Sequence, residues 1–464
     1  MSELRMTSAQ RIAAFTSSLA FEQIPAEVVH ATKLHVLDVL GCGLAAHGLG
    51  VAGEGRATMA ELGTGDATAI GLEGPLPAPH AAFANAMLCH GLDFDDTHSD
   101  SVCHITVVVV PAALAVAESL GRSGEDVLTA VTAGTEVVAR IGMAASGAFH
   151  ARGFHPTSVC GVFGATVAAA RLTGLDAETT TSALGLAGSM SSGLMAYLND
   201  GTPTKPVHAG WAAQAGLLAA RLAAHGAEGP AGVLDGRFGT FHAFVDDDEP
   251  SLAEQLDDLG TRWETLRVSY KPYPACHFMH GSLGATESLL DDVAVAQIDE
   301  VTVTVPDPLV PVILEPADAK LHPRTTYEGK FSLQYSTAAM LVHGRVDLTT
   351  YSNEVLHDAD VLELARKVRY EARAFETYPR AFPGSTRIRT TDGRTLEAEL
   401  MHQPGAPQNP LSDAQVRQKF RENASLALDS AAVEAVEDAV LGLEREGDVR
   451  ALLASLSPRE VATL

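Results

Sequence analysis

The sequence predicts a mainly α-helical protein with an inserted α+β domain. A helical domain is expected from both chain ends, residues 1–265 and 410–464, with a smaller α+β lid domain over 266–409. Three observations carry this expectation. Helix caps followed by apolar residues at three- and four-residue spacing fill roughly the first 250 positions. Strand-like alternation and an Asp-Gly turn appear between about 297 and 400, and helical spacing returns after Ser412.

Taken in order, Ser8 is placed as the cap of a first helix with Ile12, Phe15 and Leu19 on one face. Pro25 suits the first helical position of a segment reaching Gly41, with Val29, Leu34, Leu37 and Leu40 inward. Ser123-Gly-Glu-Asp126 reads as a capping box opening a helix to about Met143. Further helices are expected over about 157–172, 177–191 and 207–225. Gln297 to Val305 alternates as a half-buried strand, and Asp392-Gly393 between two alternating runs marks a hairpin. A helix from Phe331 to His343 lies between these strands. Ser412-Asp-Ala-Gln415 is a second capping box, and Val433, Val436, Val440 and Leu441 form one apolar stripe.

Composition narrows the function. Apolar residues are 46% and charged residues 19% of 464, which fits a folded core and argues against disorder. Thirty-two basic against 58 acidic side chains give a net charge of −26, a field that disfavours nucleic acid and anionic membranes as partners. An anionic substrate then needs a local group of cations. The five cysteines contain no C-x-x-C pair, so neither a zinc ribbon nor a redox dithiol is indicated. The first fifteen residues lack the apolar core of a secretory leader, and the apolar run Ile105 to Ala117 is short and contains Pro111. A cytoplasmic location is the expectation.

Four segments concentrate chemistry. His90-Gly-Leu-Asp93-Phe-Asp95-Asp96-Thr97-His98-Ser-Asp100-Ser-Val-Cys-His104 packs four carboxylates and three imidazoles beside an apolar helix. Three readings stand: a solvated loop of capping aspartates, a divalent-metal site, or paired His and Asp for proton transfer. His155 precedes Pro156 at a helix start, where the positive helix end lowers an imidazole pKa. Lys205 sits between Pro203 and Pro206 in what reads as a stiffened loop, suited to binding a carboxylate. Tyr270-Lys271-Pro-Tyr-Pro-Ala-Cys276-His277 forms an extended path near the expected domain junction, a place where small-molecule sites are common. Lys330 to Tyr335 is a weaker fifth signal.

The ordered stretches HGLDFDDTH, GFHPTSVCGVFGA, TKPVHAGWAAQAGLLA, YKPYPACHF and KFSLQYSTAAMLVHG resemble the MmgE/PrpD family. The resemblance implies a homodimer of helical and lid domains and a lyase that works without cofactor or metal on a small di- or tricarboxylate. On matching positions it implies a site of Asp93, Thr97, His104, His155, Lys205 and Lys271. Such a site moves a proton at a carbon next to a carboxylate. His104, His155 and Asp93 are the expected catalytic groups, with His155 the base, His104 the acid and Asp93 orienting or charging one of them. Thr97, Lys205, Lys271, His277 and Tyr335 are the expected substrate ligands. Dehydration of a 2-methylcitrate-like substrate is the first expectation; cis-aconitate-type decarboxylation and iminodisuccinate-type epimerisation are the alternatives. One departure is His104-Ile105-Thr106, where many members of the family have Pro after the histidine. Two rivals have less support: an Asp-rich magnesium–diphosphate site at Asp95-Asp96, and a non-catalytic helical scaffold.

Overall fold

Capping side chains set the helix starts in the computed structural model, which describes residues 6–247 and 250–456. Met1–Arg5, part of the segment read for a leader, lies outside the described residues. The chain forms two units, one of Met1–Met195, Thr204–Val268 and Ser412–Leu464, the other of Ala196–Pro203 and Ser269–Leu411.

The first unit is helical. Thr7, not Ser8, caps α1 (Ser8–Ser18): its hydroxyl accepts from the Gln10 N–H, and its own N–H donates to the Gln10 side-chain oxygen. The Ser8 hydroxyl is spent on Asp235 instead, at 2.7 Å. α2 (Ala26–Gly48) runs past the expected stop at Gly41, and Pro25 is its cap, not its first residue. Gly41 is there for close packing: a Cβ at that position would lie 3.1 Å from the Phe420 ring. α3 (Ala78–Gly91), α4 (Thr106–Leu120), α5 (Gly124–Ala144), α6 (Pro156–Thr173) and α7 (Lys205–Ala224) follow. α7 packs on α6 and α3, and α5 packs on α6. By length and composition α2 and α5 are apolar enough to cross a membrane, yet 78% and 94% of their most apolar windows are buried in the fold.

The C-terminal helices α8 (Asp413–Ala424) and α9 (Ser430–Leu441) return to α2. Two buried ammonium groups tie them down. Lys419 Nζ lies 2.8 Å from Asp38 and 2.7 Å from the Phe94 carbonyl oxygen, and Lys33 Nζ lies 3.0 Å from Glu444. Burial pushes the Asp38 carboxyl pKa up, and the Lys419 charge only partly offsets this. The start of α5 is pinned as well: the Gly124 N–H donates to the Glu446 carbonyl, and a Cβ at Gly124 would fall 1.7 Å from the Leu443 carbonyl oxygen. Gly124→Ala is therefore expected to cost about 1–3 kcal/mol by overpacking. Urea unfolding measures this against Gly53→Ala, whose added methyl meets only an Arg56 guanidinium nitrogen at 4.0 Å. Equal midpoints for the two variants would refute the account.

The second unit carries a four-stranded sheet of β1 (Ile298–Pro306), β2 (Val368–Arg373), β3 (Gly384–Thr390) and β4 (Thr395–Leu400) in the order β2-β1-β3-β4. β1 pairs parallel with β2 and antiparallel with β3. β3 and β4 form the hairpin expected from Asp392-Gly393, with Gly393 at φ 89°. As the central pairing strand, β1 is buried on both faces from Val301 onward, not half-buried as its alternation implied. Val301, Val303 and Val305 join Leu283, Leu333 and Tyr335 in the core. The helix expected from Phe331 begins at Leu333, where the Ser332 hydroxyl accepts from the Tyr335 N–H. The chain is thus mainly helical with a small mixed sheet.

Candidate active site

α3 ends at Gly91, one residue past His90, and the next fourteen residues form a loop, Leu92 to Ile105, that leads into α4. Two residues in this loop have positive φ without being glycine: Asp93 at 53° and Val102 at 56°. Aspartate tolerates that conformation; a β-branched valine does not do so readily, and the loop must be held from outside. Asp96 accepts from the Thr106 hydroxyl at 2.7 Å and lies 3.0 Å from His35 Nδ1. His98 spans Ser101 at 2.9 Å and Glu264 at 3.1 Å, and Arg267 binds Asp100 at 2.5 Å. The Phe94 ring lies under the Lys419 ammonium at 3.9 Å.

Held this way, the loop delivers a buried cluster. Asp95 is shared by two imidazoles, with His104 Nδ1 at 2.8 Å and His90 Nδ1 at 3.0 Å. Burial raises the Asp95 pKa, but the His90 and His104 charges and hydrogen bonds outweigh it and hold the carboxyl well below its usual range. With Nδ1 of each ring bonded to a carboxylate, the two Nε2 atoms carry the remaining chemistry. His104 Nε2 lies 3.2 Å from Lys205 Nζ, and Lys205 Nζ lies 2.9 Å from Asp93. Asp93 therefore pairs with the lysine, while Asp95 holds the two histidines, the orienting contact that was expected of Asp93. Thr97 Oγ1 lies 3.4 Å from His104 Nδ1, and the Thr157 hydroxyl accepts from the His104 N–H at 2.9 Å.

Lys205 is the first residue of α7, not part of a loop; Pro206 sets the helical turn. His208 follows three residues later on the same face, and its Nδ1 meets His155 Nδ1 at 3.1 Å. One of these nitrogens donates and the other accepts, so the two rings hold complementary tautomers. His155 caps α6 with its backbone only; its side chain makes no cap bond. Burial first, then the Lys205 charge, pushes the His155 pKa well below the usual imidazole value. Burial also lowers His150 and His208 to about 4, helped by Lys205 in both and by His90 in His208. Burial and a neighbouring ammonium, more than the helix end invoked from sequence, thus keep His155 neutral.

Asp93, Thr97, His104, His155 and Lys205 come together in this unit, all buried. His90, Asp95, Thr157 and His208 complete the cluster. The sequence signal for them was thin: His90 and Asp95 stood in the dense motif without assigned roles, and His208 is one turn beyond Lys205. Lys271 and His277 lie at the start of the second unit, buried, with the His277 ring 4.7 Å from His280 and 5.3 Å from Phe382. Tyr335 is a core residue of that unit, its hydroxyl 2.9 Å from the Thr350 and 3.0 Å from the Val355 carbonyl oxygen. A buried phenol needs such acceptors, which accounts for this tyrosine without a ligand. Ile105 is fully buried and precedes the first turn of α4. Among the described residues, two groups have ligand atoms close enough to hold a metal ion: His90, His104 and His155, and Asp93, Asp95 and His104.

Imidazoles oriented by a carboxylate and backed by a buried ammonium make a site equipped to move protons near an anion. Residues 10–253 match the MmgE/PrpD N-terminal domain and residues 273–445 the MmgE/PrpD C-terminal domain. The chain belongs to the MmgE/PrpD family. Among its relatives is cis-aconitate decarboxylase of Aspergillus terreus, 30% identical over 471 residues, covering 96% of this chain and 94% of that one. Human cis-aconitate decarboxylase is 32% identical over 407 residues, covering 84% and 82% respectively. A cis-aconitate decarboxylase-like protein of Aspergillus oryzae is 29% identical over 465 residues, 96% of each chain.

Proposed function

We propose that this protein is a lyase that decarboxylates a small unsaturated tricarboxylate of the cis-aconitate kind, without a cofactor. The observation that carries the reading is the buried chain Asp95–His104–Lys205, a proton donor set against a counter-charge. The relatives favour decarboxylation over the 2-methylcitrate dehydration expected first from sequence, since their names carry that activity across nearly the full length of this chain.

The chemistry suits the residues. Loss of CO2 breaks a carbon–carbon bond and leaves its electron pair on the substrate. That pair delocalises through the adjacent double bond toward a neighbouring carboxylate, and a proton must then be added at carbon. Trianion plus one proton gives dianion plus CO2, so the site must supply an acid and replenish it from solvent. His104 and Lys205 share a proton along their 3.2 Å contact, and Asp95 stabilises the charged imidazole. His155, held neutral, is suited to hydrogen bonding and poorly suited to carrying the proton that the reaction adds. Lys271 and His277 remain proposed carboxylate ligands on residue type and motif, and a homodimer and a cytoplasmic location remain part of the proposal.

The test is proton NMR in D2O with cis-aconitate, 2-methylcitrate, citrate and iminodisuccinate, after exhaustive EDTA treatment and dialysis. The expected result is CO2 loss from cis-aconitate with one deuterium built into the product. Water loss from 2-methylcitrate, or α-proton exchange in iminodisuccinate without CO2 loss, would replace decarboxylation with elimination or epimerisation. Activity recovered only by adding back a metal ion would overturn the cofactor-free part.

A further inference from the structure

We infer that His90, His104 and His155 form a transition-metal site that takes Zn²⁺ or Co²⁺ in place of the working proton, so that the metal inhibits the protein. The inference concerns the cluster assigned above to proton transfer, but its binding test needs no turnover.

Four observations point to it. The three imidazoles each offer a ring nitrogen, and these atoms lie within 4.8 Å of one another. The rings lie at short range, His90 to His104 at 4.7 Å, His90 to His155 at 5.9 Å and His104 to His155 at 6.0 Å between centroids. His90 Nε2 is fully buried and has no hydrogen-bond partner among the described residues, a costly state for a polar nitrogen in a core unless something else binds there. Finally, Asp95 holds Nδ1 of both His90 and His104, the carboxylate–histidine arrangement that in metal sites fixes the tautomer and leaves Nε2 as the ligating atom.

The donor set selects the ion. Three neutral imidazoles suit zinc, cobalt or copper and not magnesium or calcium, which prefer oxygen. Closing on the metal draws the nitrogens to within roughly 3.3 Å of each other, the spacing set by zinc–nitrogen bonds of about 2.0–2.1 Å in a tetrahedron. The Asp93–Asp95–His104 group is the weaker candidate, because Asp93 already holds Lys205 and Asp95 already holds two imidazoles. Lys205 is the competitor: its ammonium lies 3.2 Å from His104 Nε2 and repels a cation. Metal and proton therefore exclude one another at His104, and filling the site removes the acid.

This gives variants of opposite sign. The full-length protein, stripped with EDTA, is titrated with Co²⁺ and followed by visible d–d absorption, with Zn²⁺ as displacing ion and metal analysis for stoichiometry. One ion per chain is expected, with reversible loss of activity. Asp95→Asn is expected to weaken Co²⁺ binding about 10- to 100-fold through the lost orientation of two ligands. His90→Gln and His155→Gln are each expected to abolish the absorption, and Lys205→Met to tighten binding. Circular dichroism accompanies each variant, and a variant that does not fold leaves the others to decide. Unchanged Co²⁺ binding in folded His90→Gln or His155→Gln, or weaker binding in folded Lys205→Met, overturns the inference. Specific binding without any decarboxylation upholds it and removes the proposed function instead.

Discussion

Lys205→Met is expected to lower kcat/KM for cis-aconitate by about 2–5 kcal/mol of transition-state stabilisation, roughly 30-fold to several thousand-fold. The ammonium is buried, 2.9 Å from Asp93 and 3.2 Å from His104, so its loss removes a proton source and strands a buried carboxylate. The second effect destabilises the fold by itself, about 3–5 kcal/mol when one partner of a buried pair is removed. The double variant Lys205→Met/Asp93→Asn separates the two. It is expected to regain most of the urea midpoint lost in Lys205→Met while regaining little activity. Wild-type kcat/KM in the single variant would show that the ammonium takes no part in the chemistry.

Acidification is expected to destabilise the protein well before Asp95 protonates. His150 and His208 have pKa values of about 4 in the fold, and His155 lies well below its ordinary value too. An unfolded histidine protonates near pH 6.5, so below that the unfolded state binds protons the folded state refuses. Stability is complete above about pH 6.5 and falls as the pH drops toward 4, by on the order of 3 kcal/mol for the buried His208 and by less for His150, whose side chain is partly exposed to solvent. Asp95 acts in a lower window, since its depressed pKa gives stability that is lost only as the pH falls through the folded value, below 3.8. Together these losses are a large share of the stability of an ordinary domain. The Tm measured from pH 8 to pH 4 should fall steeply below 6.5, and less steeply in His150→Gln and His208→Gln. A flat Tm between pH 7 and pH 5 would contradict the buried-neutral assignment.

What the sequence made legible was mostly local. The capping boxes at Ser123 and Ser412 and the Asp392-Gly393 hairpin are read from a few neighbouring residues, and each stands where expected. Gly41 misled because its lack of a side chain serves Phe420, almost 380 positions away, and not a helix end. Thr7 and Ser8 are both competent caps, and the decision fell to Asp235, which takes the serine hydroxyl. The chemistry followed the same division. Motif order brought Asp93, Thr97, His104, His155 and Lys205 onto one short list, but their pairing depends on where a loop turns. The left-handed backbone at Asp93 sends its carboxylate to Lys205 and leaves Asp95, two residues on, to meet both imidazoles. Spacing along the chain does not distinguish between four aspartates within eight positions.

The return of α8 and α9 to α2 has a consequence for how the protein is born. Asp38 and the groove around Gly41 leave the ribosome early, whereas Lys419 and Phe420 follow nearly 380 residues later. At about 5–20 residues per second that interval is roughly 20–75 s. Throughout it the helical unit holds a carboxylate without its ammonium and an apolar face without its cover. The sheet-bearing residues 269–411 emerge complete within the same interval, before the unit that began first can close. A nascent chain stalled when residue 411, but not Lys419, has cleared the exit tunnel should therefore present a protease-resistant second unit joined to an open first one, and binding of a chaperone that recognises apolar surface should fall off sharply once Lys419 and Phe420 are clear of the tunnel.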